Sequence, residues 1–547
     1  MQDHPTARAA SSIGSRLKAY AARFSREYGG CAVFGLLYGA VLYALMMSQQ
    51  LTNTFDGLWH QNYHRAGAAE LSSGRWVLAG IDRLLMGMHA EPIASIAALV
   101  LFIAGFLLVL DLFRLKRKPV CCLCLALFLS STLISNTLSY RFTSIGYGFA
   151  YFFAVLSVYA LVKIKNSGLA IGIAGVLLGL SLSCYQAYAA VFCVVAVFCV
   201  IFACRQAEQS AGGASAKSML RCLLRIIFCL CAGAVFYIAS LSLCLKLCGV
   251  ALSGYNGIGQ TSAGSLLAGL PRNLLKTYQY FYSYFFLNKL KINRLQPFGI
   301  FYILFAVLAV EVVVTAVRTW KVSKAQTLLL LLAAAVLPIA ANAYMLLAGD
   351  KLELQMTAGL AMVAPLTMAL VFSCPERKRT LKLACALLCA ALTYGSAMQV
   401  WIDQEGMYEG QNACETMMTQ VIHDLRGEDL LSADHEYFFI GVPEENPLFS
   451  TSEAYTRANA YAQMGRFWVS GNCSQMSYGG LLQRMGLGLS MSSLQYEDIA
   501  GKINASELPA FPSAGYIVQL DENTVVIKIS EYKTYTGDSK YVIDSPA

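Results

Sequence analysis

Apolar residues gather along this chain in blocks of about twenty, the length a helix needs to cross the hydrocarbon core of a bilayer. Eleven such blocks are read, at roughly 29–50, 92–113, 120–140, 147–164, 168–186, 188–204, 226–249, 298–317, 326–347, 355–373 and 384–402. Basic residues fall in every second connection. Arg8, Arg16, Lys18, Arg23 and Arg26 precede the first block, and Arg114, Lys116, Arg117 and Lys118 follow the second. Lys163 and Lys165 follow the fourth, Arg205, Lys217, Arg221 and Arg225 the sixth, Arg318, Lys321 and Lys324 the eighth, and Arg377, Lys378, Arg379 and Lys382 the tenth. Lys/Arg-rich connections are retained in the cytoplasm. The tail 1–28 and these loops are therefore expected inside, with 51–91, 250–297, 348–354 and everything after Trp401 outside.

Two of the outer loops are long. Within 51–91, Trp76 to Met88 is amphipathic but too short to span and is interrupted by Asp82 and Arg83, so it is expected to lie along the membrane surface. Within 250–297, a Gly-rich entry leads to KTYQYFYSYFFLNKLKINR, whose aromatics suit an interfacial belt or a grip on a sugar or its lipid carrier. Beyond Asp403 the pattern becomes that of a soluble fold. Met407, Cys414, Met418, Val421 and Leu425 recur at helical spacing, Glu436 to Val442 reads as a strand, and two runs flanking Asp521-Glu522-Asn523 read as a hairpin. The expected fold is mainly α: a membrane-spanning core over 29–402 and a small extracytoplasmic α/β domain over 403–547.

Composition sharpens this picture. Of 547 residues, 57% are hydrophobic and 13% charged, against about 25% charged in an average protein. The net charge of +9 is spread over the alternating clusters, which speaks for membrane orientation and against nucleic acid. Most of the 18 cysteines lie in or beside apolar blocks and act there as small apolar side chains. The C-x-C pairs at Cys122/Cys124 and Cys229/Cys231 lack the partners of a zinc site. Cys414 and Cys473, both beyond residue 402, are a candidate disulfide. No cleavable leader is expected at the basic N-terminus.

Chemistry concentrates in the first outer loop, LTNTFDGLWHQNYHRAGAAELSSGRW, from Leu51 to Trp76. A helix starting at Asp56 puts Asp56, His60 and His64 at i, i+4 and i+8, drifting only about 80° around the axis, with Trp59 and Tyr63 on the neighbouring stripe. Asp56 is then either a base or the cap of that helix, and Glu70 is a second carboxylate nearby. His60 and His64 are candidates for substrate contact or, with Asp56, for a metal. Arg65, Arg75, Arg141 and Lys351 are cations on the expected outer face, fit for phosphate or for interfacial anchoring. Tyr185 and Gln186 form a polar pair that suits either sugar hydroxyls or a bridge between helices.

Several stretches together resemble one family. They are the first loop ending Gly74-Arg75-Trp76, the segment Leu138-Ser139-Tyr140-Arg141-Phe142, the segment Ser183-Cys184-Tyr185-Gln186-Ala187, and the tail sequence LPAFPSAG at 508–515 followed by Val525-Val526-Ile527-Lys528. In order and placement they resemble the bacterial O-antigen-modifying (Gtr-type) membrane glucosyltransferases, of the GT-C superfamily. The resemblance implies a multi-pass enzyme of the bacterial cell membrane that moves a hexose, usually glucose, from a polyprenyl-phosphate carrier to a surface glycan on the outer side. It implies no cofactor, and a lipid-phosphate donor has no evident need of a metal. In that reading Asp56 is the base and Glu70 its alternate, while Trp59, Tyr63, the two histidines, the four cations and the Tyr185–Gln186 pair bind substrate. A polysaccharide polymerase or ligase would share lipid-linked substrates. A flippase would need charges lining a path through the spans, and here Glu311 and Lys246 are the main ones.

Overall fold

The computed structural model describes residues 13–53, 55–60, 63–208, 216–253, 263–287, 299–348, 353–375, 377–462, 464 and 474–532. Eight helices among them are long and apolar enough to cross a membrane: Ile93–Leu112, Arg141–Lys163, Ser167–Cys184, Gln186–Gln206, Leu220–Cys248, Ile300–Trp320, Lys324–Ala341 and Arg379–Gly427. Each falls on an apolar block of the sequence. The block at 120–140 is a pair, Lys118–Leu129 and Thr132–Ser139, bent by 54° and counted as a ninth span when taken together. The two remaining blocks are less regular. The first forms the helix Ile13–Leu42, which breaks at Tyr43 and resumes as Ala44–Gln49, and the tenth forms the 15-residue helix Ala358–Phe372.

Helices are the natural solution here because a bilayer offers backbone groups no water to bond. Side chains on the long helices are apolar all round, so the faces turned away from the bundle still carry Val235, Ile238, Leu328 and Leu387, all exposed. On a soluble protein that would be an aggregation surface; on a membrane helix it is the lipid contact. Close packing inside relies on small residues. A Cβ at Gly175 would lie 2.7 Å from the Ala232 Cβ, and one at Gly179 would strike the Phe236 ring, so the Ser167–Cys184 helix can lie tightly along the Ala216–Cys248 helix.

Two carboxylates in the spans, Asp111 and Glu311, are paired. Asp111 accepts Lys163 Nζ at 2.8 Å, Arg23 at 3.2 Å and the Tyr159 hydroxyl at 2.6 Å. Glu311 is held by Arg377 at 2.8 Å and faces Arg205 at 3.8 Å. Lys246 sits exposed in the last turn of its helix. Glu311 is thus part of a closed ion cluster instead of lining a path.

The last span continues unbroken as a 49-residue helix, Arg379–Gly427, into the C-terminal unit. There Cys414, Met418, Val421 and Leu425 enter the apolar core, as the helical spacing predicts, while Met407 is buried in the core of the bundle. Four strands, β1 (Glu436–Ile440), β2 (Ser490–Met491), β3 (Ile517–Gln519) and β4 (Thr524–Lys528), form a mixed sheet in the order β2-β1-β4-β3. β1 and β4 run parallel, with Phe438 opposite Val526, while β3 and β4 form the expected hairpin with Val518 opposite Val526. Alternation along β1 sends Tyr437 and Phe439 to one core and Phe438 and Ile440 to another. Cys473 lies outside the described residues, and Cys414 is buried. The aromatic segment is seen in part: Ala263–Tyr282 is helical and continues through Ser283–Leu287, where Phe281 and Phe285 each pack edge to face with Phe305.

Candidate active site

Polar ties fix the start of the 51–91 loop. Thr52 donates to the Ser139 carbonyl at 3.3 Å, and the Asn53 amide donates to Asn136 Oδ1 at 3.0 Å. Both partners lie on Thr132–Ser139, the polar second half of the bent span, whose Thr132, Ser135, Asn136, Thr137 and Ser139 are all buried. Asn136 in turn donates to Gln355 Oε1 at 3.4 Å, and Gln355 bonds the Glu353 carboxylate. A line of amides thus runs from the end of the first helix to Glu353, a carboxylate in the 348–354 loop.

The loop then forms a short helix, Phe55–Trp59, with Asp56 in its first turn. A helix continuing to His64 is not what the structure contains. The His60 amide still bonds the Asp56 carbonyl at 2.9 Å, but by Tyr63 the backbone is paired to Met88, and the His64 amide bonds the Gly87 carbonyl at 2.9 Å. Backbone groups engaged across the loop cannot serve a helix. Gly87 makes the pairing possible: its φ is +73°, and a Cβ there would lie 2.8 Å from the His64 carbonyl oxygen. The two imidazoles meet nevertheless, with ring centroids 3.7 Å apart and both against Phe142.

Asp56 is partly buried and faces Glu353, Arg75, His64 and Glu70. Burial, then the like charge of Glu353, push its carboxyl up to about 6, with Arg75 and His64 working against them. Glu70 stands in the opposite state. It accepts His64 Nε2 at 3.1 Å and the Gly67 amide at 2.7 Å. Burial works to raise it, but these partners outweigh burial and pull it down to about 2. Burial and the neighbouring His64 bring His60 down to about 4, so its ring is neutral. Beneath them His89 bonds the His64 carbonyl at 3.0 Å and faces Asp82 at 3.7 Å, and burial raises Asp82 to about 7.

Arg75 enters from the Gly74-Arg75-Trp76 turn. Gly74 has φ +83°, and a Cβ there would lie 2.7 Å from Gln186 Nε2 and strike the Tyr237 hydroxyl. That close approach lets Gln186 donate to the Ser73 carbonyl at 2.9 Å and to the Tyr237 hydroxyl at 2.8 Å, joining the loop to two spans. The Arg75 guanidinium then rests 4.7 Å from the centroid of the Tyr185 ring, itself stacked at 4.7 Å on Tyr147.

The other expected residues scatter. Arg141 is buried and donates to Gln50 Oε1 at 3.0 Å. Arg65 and Tyr63 are exposed, and Trp59 is exposed beside the C-terminal unit. Lys351 lies outside the described residues. Among the described residues no group of three or more His, Cys, Asp or Glu is disposed to hold a metal ion. Sequence reading passed over Glu353, Tyr147 and the His89–Asp82 pair. Glu353 had a usable signal, as a carboxylate in a loop expected on the same side as Asp56. Tyr147 had none, being one aromatic in a span rich in them.

A carboxyl pushed up to about 6 by burial and a like charge, and an arginine braced on an aromatic ring, thus meet in a polytopic bundle of membrane-length helices. Residues 60–373 match the family model described as Glucosyl transferase GtrII. That is more than half the chain, and the protein belongs to this family of membrane glucosyltransferases. The matched stretch takes in Glu70, Arg75, Tyr185 and Glu353 and begins four residues after Asp56. No curated protein and no solved structure matches the chain.

Proposed function

We propose that this glucosyltransferase takes glucose from a polyprenyl-phosphate carrier and passes it to a hydroxyl of a surface glycan on the outer side of the bacterial cell membrane, with Asp56 as general base. The observation that carries the reading is the convergence of Asp56, Glu353 and Arg75 at one end of the bundle, in a chain of this family. Asp56 takes the proton of the acceptor hydroxyl, and the freed oxygen forms its bond to the anomeric carbon. The bond from that carbon to the phosphate oxygen breaks, and the phosphate leaves with the electron pair. Arg75 balances the charge that grows on it. Burial and the like charge of Glu353 keep the Asp56 carboxyl basic enough to accept a proton near neutral pH. Tyr185 and Tyr147 offer the sugar an aromatic wall. Glu70, held by His64 and Gly67, serves the loop's shape.

Placement on the outer side is supported by the charge pattern and by pairings between loops expected inside. Arg23 and Lys163 share Asp111, Arg377 and Arg205 share Glu311, and Arg225 donates to the Ile164 carbonyl at 2.8 Å. Purified protein in nanodiscs, given synthetic polyprenyl-phosphate glucose and the host's surface glycan, is expected to release polyprenyl phosphate and glucosylated glycan. A polymerase would require a diphosphate-linked oligosaccharide, and turnover only with that donor contradicts the proposal.

A further inference from the structure

The C-terminal unit is fastened to the Asp56 helix and to the chain just before it. Leu58, two residues from Asp56, is fully buried in the core of that unit, among Met418, Tyr478 and Leu481. Gly480, on the helix Ser474–Arg484, lies so close that a Cβ there would sit 2.5 Å from the Leu58 carbonyl oxygen and 2.9 Å from the Trp59 amide nitrogen. These are backbone atoms, and no rotamer change relieves such a contact.

Arg484 closes the same helix. Its guanidinium donates to the carbonyls of Gln49 and Gln50, at 3.0 Å each, and its Nε donates to Glu415 Oε1 at 3.0 Å. Gln49 and Gln50 are where the first membrane helix ends and the loop begins. Orphan carbonyls at a helix end need such donors. Gln411 of the long last helix also donates to Gln49, at 3.4 Å.

We propose that the C-terminal unit is a positioning element for the reaction. Gly480 and Arg484 hold Leu58–Trp59 and Gln49–Gln50, on either side of Asp56 in the chain, and so set Asp56 against Glu353 and Arg75. The inference rests on the reading of Asp56 as base. Catalysis is sensitive to misplacements of an ångström or less in such a group. The tie also couples anything that moves the C-terminal unit to the base.

The test uses full-length protein in nanodiscs. Gly480→Ala forces the Leu58–Trp59 backbone away, and is expected to lower kcat by about 10-fold or more with donor KM within about 2-fold. Amide exchange over residues 55–60 is expected to quicken while the spans stay unchanged. Arg484→Ala, which adds no clash, is expected to do the same more mildly, and Arg484→Lys to restore part of the rate. Wild-type kcat per folded molecule in both Gly480→Ala and Arg484→Ala, with only the yield of folded protein reduced, would overturn the proposal. So would unchanged exchange at 55–60 in both. If instead Asp56→Asn is active, the base assignment fails by itself, and quickened exchange at 55–60 in these variants still upholds the fastening.

Discussion

The guanidinium of Arg75 lies over the ring of Tyr185, 4.7 Å from its centroid, and this contact joins the 51–91 loop to the membrane bundle at the point where the proposed reaction develops charge. A planar cation on an aromatic face is held in orientation as well as in place. Arg75→Ala is expected to slow transfer by about 10²-fold, the scale for losing one donor to a developing anion. Arg75→Lys keeps the charge without the flat stacking surface, and should recover only part of the rate. Steady-state kinetics with the lipid donor varied checks both.

Glu353→Gln removes the like charge facing Asp56 and leaves burial unchanged. The Asp56 carboxyl then falls from about 6 toward the ordinary carboxylate range. In the wild type, activity should decline as pH drops through about 6, because the protonated acid cannot accept the acceptor's proton. In Glu353→Gln that acid limb should move to lower pH. A pH–rate profile of kcat for both proteins decides, and coincident acid limbs would remove Glu353 from this role.

Glu70→Gln tests the loop's internal brace. The folded-state carboxyl of Glu70 is depressed to about 2 from an ordinary 4.5, so its ionised form stabilises the fold above about pH 4.5. That contribution fades as pH falls from about 4.5 toward 2. At pH 7 the substitution should cost about 1–3 kcal/mol, the scale for breaking hydrogen bonds to a charged group. The difference in Tm between wild type and Glu70→Gln should shrink steadily in detergent scans taken from pH 5 to pH 3.

Gly179→Val probes the packing of two spans against each other. Its Cβ would meet the Phe236 ring and lie 3.1 Å from the Gly233 carbonyl oxygen, so the two helices must part. Destabilisation of about 1–3 kcal/mol is expected from overpacking, read as a lowered Tm.

Most of the fold was legible because the bilayer imposes a length and an apolar pattern on each span, and β4 and its hairpin announced themselves through alternation around Asp521-Glu522-Asn523. The bend at Ser130–Ser131 was not, since a continuous apolar block looks the same whether the helix runs straight or turns by 54°. At the site, Asp56, Glu70, Arg75, His60 and His64 stand out because one loop gathers them in a chain where charge is rare, and the structure brings them together. The helix meant to unite the histidines was wrong, because strand-like pairing of Tyr63 with Met88 is a contact across 25 residues that periodicity cannot register. Glu353 is missing for the same reason: nearly 300 residues separate it from Asp56, and only the fold makes them neighbours.

Central to all of this is Asp56 as the base, and single-turnover transfer by Asp56→Asn tests it most directly. The substitution keeps shape and hydrogen bonding while removing the proton acceptor. With full-length protein, synthetic polyprenyl-phosphate glucose and glycan acceptor, the rate should fall by about 10²–10⁴-fold, the usual scale for losing a general base, with Tm and donor binding preserved. Transfer by Asp56→Asn at close to the wild-type rate would contradict the account.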